Sequence, residues 1–313
     1  MEAAVMATIG LILLVLAGDL LVRGAVNLSL RLGIPALIVS LTIVAFGTSA
    51  PELLIATDAV LSGKPGLALG NVVGSNIANI LLVLGLPALI SRLHTEKLDI
   101  KRSYRIMILG TLLFIGLALF GTITALSGAI LLTALGLTLA DQLWSARAHL
   151  RDTQPQEDVE GADPDMPYWR ILVFLAMGLA GLPFGAHLLV ENAATIASAF
   201  GVSDAVIGLT LVALGTSLPE LATTIMAALR RQADVAIGNV IGSNLFNLLA
   251  ITGIASLVGP IPVSPEIARF DLWVMLGASL VLAPFVLWGL NLTRRWGIAL
   301  TAGYLIYVTL VLI

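Results

Sequence analysis

A chain of 313 residues that is 58% hydrophobic and 11% charged, with a mean hydropathy of +1.03, is too apolar for a water-soluble globule and is read as an integral membrane protein. A formal net charge of -3, with no basic patch interleaved with aromatics, excludes a nucleic-acid partner. Zero cysteines exclude disulfides and thiol chemistry and leave the redox compartment open.

The N-terminus, MEAAVMATIG, has neither a basic leader region nor a small-residue cleavage site, so it is expected to be a retained first span. A span takes about 20 mainly apolar residues. On that measure the spans fall at 3–22, 34–61, 66–90, 104–121 and 125–144, then at 168–190, 202–229, 235–258, 270–290 and 296–313. The expected fold is therefore all-α, with ten transmembrane helices. Residues 1–144 form a first half of five helices and residues 168–313 a second. Between them, residues 145–167 carry Asp152, Glu157, Asp158, Glu160, Asp163 and Asp165 with Pro155 and Pro164, and are expected to be a solvated acidic linker on the cytoplasmic side. The run lacks the spacing and the glycine of a calcium-binding loop.

Loop charge sets the orientation. With the N-terminus outside, fourteen of the sixteen basic residues fall on the inner side and only Lys64 and Arg269 outside, which predicts N-out and C-out. Because each half has an odd number of spans, the halves then cross the membrane in opposite senses.

Two interruptions of the apolar pattern organise the chain. GTSAPE, Gly47 to Glu52, lies inside the second span, and GTSLPE, Gly215 to Glu220, lies inside the seventh. GNVVGSNIAN (Gly70 to Asn79) and GNVIGSNLFN (Gly238 to Asn247) follow at the same offset of 168 residues. The repeated blocks run 45–85 and 213–253. A carboxylate at mid-bilayer depth costs several kcal/mol unless it faces a polar interior or a cation, so Glu52 and Glu220 are read as functional. Close helix packing explains Gly, Ser and Thr in such segments but has no use for two glutamates. Inverted repeats with Gly/Pro-interrupted helices at matching places are transporter architecture, with the site near the midplane.

Spacing places Ala45, Thr48, Ser49 and Glu52 on one helix face, and Ala213, Thr216, Ser217 and Glu220 on another. Ser75 with Asn79 and Ser243 with Asn247 are each four apart, again one face per pair. Together these faces line a small cavity with oxygen donors, together with carbonyls freed by Pro51 and Pro219. Without His, Cys or Met the set favours a hard cation, calcium or sodium. Gly70, Gly74, Gly238 and Gly242 are assigned to close helix approach, and Asn71, Asn76, Asn239 and Asn244 to interhelical hydrogen bonding. Asp58, Glu191 and Asp204 are expected near the outer surface as solvated helix ends. Asp19 and His187 occupy equivalent places in the two halves, and His187 is assigned a structural hydrogen bond.

At these residues the sequence resembles the sodium/calcium exchanger family of the calcium/cation antiporter superfamily, whose two repeats carry GTSxPE and GNxxGSNxxN. LGIPALIVSLTIVAFGTSAPE leads into the first motif, and the likeness extends over essentially the whole chain. The resemblance implies calcium between Glu52 and Glu220 with help from Thr48 and Thr216. It implies sodium on Ser49, Ser75, Ser217 and Ser243 with carbonyls of Ala45 and Ala213, and a first and sixth helix that slide across the other eight. Some family members carry an aspartate where this chain has Asn79 or Asn247. The expected function is calcium/sodium antiport in a prokaryotic inner membrane, with calcium/proton exchange through the same glutamates as the alternative. No cofactor and no obligatory protein partner are expected. A passive channel and an intramembrane protease are the other classes. A protease needs a base that Ser49 and Ser217 lack here.

Overall fold

The computed structural model describes residues 2–95, 100–149, 163, 165–201 and 213–312, the side chains of 145–149, 213 and 312 excepted. The N-terminal parts of the seventh expected span (202–212, with Asp204) and most of the acidic linker lie outside the described residues. The described chain is mostly helical, as an apolar chain that must satisfy every backbone group internally has to be.

Helix α1 spans Glu2–Leu32, ten residues beyond the predicted end of the first span. The apolar stretch sets only the membrane-crossing part, and the polar turns from Arg23 onward continue the same helix. Arg23 and Arg31, expected in a loop, therefore ride on α1. It ends in a glycine cap: Gly33 takes φ 65°, its N–H bonds the Leu30 carbonyl, and the Ile34 N–H reaches Ser29. Helices α2 (Ala36–Thr48) and α3 (Ala50–Leu61) form one bent unit, angled 43° at Ser49. Then come α4 (Pro65–Ile90), α5 (Lys101–Ala118) and α6 (Ala125–His149).

The second half repeats the first. Helix α7 (Tyr168–Ala199) again outruns its predicted end, followed by a short helical stretch Ala213–Gly215 and α8 (Leu218–Leu229). Helices α9 (Ala233–Val258), α10 (Ile267–Leu287) and α11 (Arg294–Leu312) complete the chain. The offset of 168 carries both ends of α3 onto α8 and both ends of α4 onto α9. Six described helices are long and apolar enough to cross a membrane, seven with the bent α2–α3 pair. The remaining expected spans start on charge, Lys101 and Arg102 in α5 and Arg294 and Arg295 in α11, or lie partly outside the described residues.

Two short pairings lace the halves together. Strand β1 (Thr122–Ile123) runs antiparallel to β2 (Ile261–Pro262), and Leu93 exchanges backbone hydrogen bonds of 3.0 and 3.1 Å with Leu292. Helices α4 and α9 form the buried centre. Helices α1 and α7 lie side by side at the periphery, joined through glycines: a Cβ on Gly10 would sit 2.8 Å from the Gly185 carbonyl, and one on Gly178 2.6 Å from Leu21 Cβ. On the central side, a Cβ on Gly242 would sit 2.6 Å from both Ala45 Cβ and the Leu41 carbonyl, and one on Gly238 3.1 Å from the Leu37 carbonyl. Gly70 and Gly74 meet nothing within 4 Å among the described residues, so the close approach expected at four glycines is found at Gly238 and Gly242.

The turn after α8 ends on Arg231 at φ 56°, where the first half has Gly63 at φ 70°. The left-handed conformation costs a side chain about 1 kcal/mol or more. Arg231→Gly is therefore expected to raise the thermal unfolding midpoint in detergent, and an unchanged or lower midpoint would refute the strain.

Candidate functional site

Each GTSxPE motif is a helix break with the same local chemistry. Ser49 takes φ -87° and ψ 5°, and Ser217 φ -88° and ψ 3°. Proline follows in the first turn of α3 and of α8, where no N–H donor is required, so Pro51 and Pro219 start helices instead of kinking them. This places Glu52 and Glu220 in the first turns of α3 and α8, at the positive end of each helix dipole, where a carboxylate is favoured. Both side chains are fully buried.

The two halves meet here. Ser49 Oγ donates to Glu220 Oε1 at 3.0 Å, and Ser243 Oγ approaches the same oxygen at 3.4 Å. Thr48 Oγ1 donates to Asn239 Oδ1 at 3.3 Å and lies 3.5 Å from Ser243 Oγ. At the equivalent positions Thr216 Oγ1 donates to Asn71 Oδ1 at 3.4 Å. Asn239 also donates to the Glu220 carbonyl at 3.4 Å and to Thr224 at 3.3 Å. Glu52 and Glu220 lie within electrostatic range of one another.

A second cluster joins the GNxxGSNxxN segments. Asn79 Nδ2 donates to Asn244 Oδ1 at 3.1 Å, and Asn244 Nδ2 to the Asn76 carbonyl at 3.4 Å. Asn79 and Asn247 each open a π-helical turn or sit in its first two residues (Asn79–Val83 and Phe246–Ile251), a widened register common at functional sites. Ser75 is buried on α4. The Ala45 carbonyl accepts both the Ser49 N–H at 3.0 Å and the Thr48 hydroxyl at 3.3 Å. Ala213 begins its helical stretch, and its side chain is not among those described.

The hydrogen bonding is lopsided. Glu220 Oε1 is held by two serines, whereas both oxygens of Glu52, Glu220 Oε2 and Ser217 Oγ are buried with no hydrogen-bond partner among the described residues. Asn79 joins Asn244, whereas both amide atoms of Asn247 and Asn76 Oδ1 are unpartnered. Unpaired polar atoms of this kind cost 1–3 kcal/mol each, about the magnitude that decides whether a cation is held. The unpartnered set is mainly oxygen, carboxyl above all, and suits a hard cation in donor type and charge. The lattice of amides Asn71, Asn239 and Asn244, with Thr224 behind it, holds Thr48, Thr216 and Asn79 in place. Its residue types were legible; which helices it joins was not.

A cavity of about 260 Å³ lies beside the breaks, lined by Pro51, Ile55, Pro183, His187, Thr216 and Pro219 among others, with Glu191 at its rim. His187 is exposed there, its Nε2 3.4 Å from Glu191 Oε2 one turn on, so it meets an acid where a structural bond was assigned.

Comparison with known proteins agrees with this geometry. The family model described as sodium/calcium exchanger protein matches residues 2–144 and 170–313. CaxA of Alkalimonas amylolytica is 40% identical over 90% of this chain and 88% of its own. The sodium/calcium exchanger MaX1 of Methanosarcina acetivorans is 31% identical over 96% of this chain and 95% of its own. A solved structure of the sodium-calcium exchanger NCX_Mj, soaked with 2.5 mM Na+ and 1 mM Sr2+, superposes with a TM-score of 0.84 at 31% identity, covering 98% of this chain and 97% of that one. A bent helix pair, a buried pair of glutamates and a full-length match in both sequence and structure lead to one conclusion: this multi-pass integral membrane protein is a transporter and not an enzyme, and it belongs to the sodium/calcium exchanger protein family.

Proposed function

We propose that the chain exchanges calcium for sodium across the membrane by alternating access, at a midplane site built from Glu52 and Glu220. The observation that carries the proposal is the set of buried, unpartnered oxygens on the first turns of two broken helices, one from each half. Thr48, Thr216, Ser49, Ser217, Ser75, Ser243, Asn79 and Asn247 surround it, with the carbonyls of Ala45 and Ala213. Calcium takes the two carboxylates, whose charges it matches. Sodium takes hydroxyl, amide and carbonyl oxygens and competes through the shared glutamates, so loading one ion empties the other. Two empty carboxylates in a low-dielectric site repel and resist reorientation, which suppresses leak. The Ala45 carbonyl contributes only once the Thr48 hydroxyl turns away from it.

The architecture behind the proposal is ten spans in two inverted halves, 1–144 and 168–313, with both termini outside. Supporting it are the matching bounds of α3 with α8 and α4 with α9. The reciprocal Thr48–Asn239 and Thr216–Asn71 bonds and the paired interhalf bridges add to that support. A prokaryotic inner membrane is the proposed location.

Calcium/proton exchange is the second reading, favoured by one observation: among the described residues neither carboxyl oxygen of Glu52 has a hydrogen-bond partner, so a proton can neutralise it in place of a cation. The test is calcium-45 uptake into proteoliposomes. Exchange with sodium predicts uptake driven by an outward sodium gradient. Uptake that ignores sodium and follows a pH gradient would transfer the proposal to protons, and calcium that equilibrates without any counter-ion would make the protein a channel.

A further inference from the structure

The two ends of the pathway are built differently. At one end α1 lies against α8: a Cβ on Gly18 would stand 3.1 Å from the Ala222 carbonyl and 3.2 Å from Met226 Cγ. Arg230, at the end of α8, donates from Nε to Asp19 Oδ1 on α1, and Arg23 Nη1 lies 3.9 Å from Asp19 Oδ2. The Asp19 and Arg230 side chains are only 21% and 23% exposed, so water screens their contact weakly. At the other end the corresponding helices α7 and α3 stand apart around the 260 Å³ cavity.

The offset of 168 puts His187 where Asp19 stands, Glu191 where Arg23 stands and, on α3, Ser62 where Arg230 stands. His187 and Glu191 face each other along α7 itself and are 72% and 65% exposed. Among the described residues, only this end carries a charge pair that crosses between the peripheral helices and the broken ones.

We propose that the Asp19–Arg230 ion pair latches α1 to α8 and holds that end of the pathway shut while the α7–α3 end is open, biasing the carrier toward this orientation. The proposal rests on the alternating-access reading. A helix pair that slides must break this contact once per cycle, and among the described residues the opposite end has no charge pair to replace it. Arg23 is the second cation facing Asp19. It sits on the same helix, travels with it, and so cannot serve as the latch.

The cysteine-free chain allows a direct test with single reporters, Ala222→Cys at the closed end and Ile55→Cys in the open cavity. Maleimide labelling is measured in each, with and without Arg230→Gln. The latch predicts labelling at 222 faster by about fivefold and labelling at 55 slower, the shift expected when a ligated state loses an ion pair of ordinary strength. The charge exchange Asp19→Arg with Arg230→Asp should return both rates toward the starting values. Unchanged labelling at both positions, or faster labelling at both, overturns the proposal. If Arg230→Gln does not fold, Asp19→Asn on the two reporter chains removes the same ion pair from the other side and should give the same reciprocal readout, and flat rates refute the latch. Reciprocal labelling in a chain whose calcium uptake ignores every counter-ion would leave the latch standing and remove the exchange reading.

Discussion

Glu52→Gln abolishes sodium-driven calcium uptake, and Glu220→Gln does the same: each is expected to lower the initial rate by ~100-fold or more, from the 3–5 kcal/mol lost when one partner of a buried charge pair is removed. The amide keeps the shape of the carboxyl group, removes its charge and exchanges one acceptor oxygen for an NH2 donor. The two positions differ in what remains. Glu220 loses a charge to which Ser49 and Ser243 are already oriented, and its amide oxygen can still accept from both. Glu52 has no such partners, and its replacement relieves repulsion between two buried acids. Without calcium, Glu52→Gln should therefore melt at or above the temperature of the unsubstituted chain, and added calcium should no longer raise that temperature. Retained calcium transport by either variant would remove that residue from the site. A melt well below the unsubstituted chain would show that Glu52 is held by contacts other than an ion.

Gly242→Ala is the second large effect. The added methyl group would stand 2.6 Å from Ala45 Cβ and 2.6 Å from the Leu41 carbonyl, far inside contact distance, and one of the two neighbours is backbone. Overpacking of this kind costs about 1–3 kcal/mol, and α2 must move away from α9 to accommodate it. That movement carries Ala45 and Thr48 away from Asn239 and Ser243, so uptake should fall by ~10-fold or more even where the protein reaches the membrane. Gly277→Ala is the control. Nothing described lies within 4 Å of it, and alanine in a helix should stabilise by about 0.5–1 kcal/mol without touching transport. Normal transport by Gly242→Ala would mean that the α2–α9 approach tolerates more space than the site geometry suggests.

The site was legible because polar residues have so little to do in an apolar helix. Glu52 and Glu220, each two residues into a broken helix behind serine and proline, could be found by type, by spacing and by their recurrence 168 residues apart. The chain break itself was equally plain. What the pattern could not carry was hydrogen-bond register. The π-helical turns at Ser40–Val44, Asn79–Val83 and Phe246–Ile251 have the same apolar composition as ordinary helix, and only the folded backbone distinguishes them. Helices α1 and α7 outran their predicted ends because hydropathy detects a membrane-crossing segment and is blind to its soluble continuation. The contact between Asp19 and Arg230 joins residues 211 apart, with no periodicity to announce it. Nor does a repeat of identical residue types disclose that Ser49 reaches a glutamate whereas Ser217 does not.

The glycine seam between α1 and α7 has a mechanical consequence. With Gly10 against Gly185 and Gly178 against Leu21, the two backbones leave no layer of side chains to act as a cushion, so neither helix can shift without dragging its neighbour. On the alternating-access reading proposed above, they are expected to move as a single rocker: pressing down at one rim lifts the other, and both rims do not rise together.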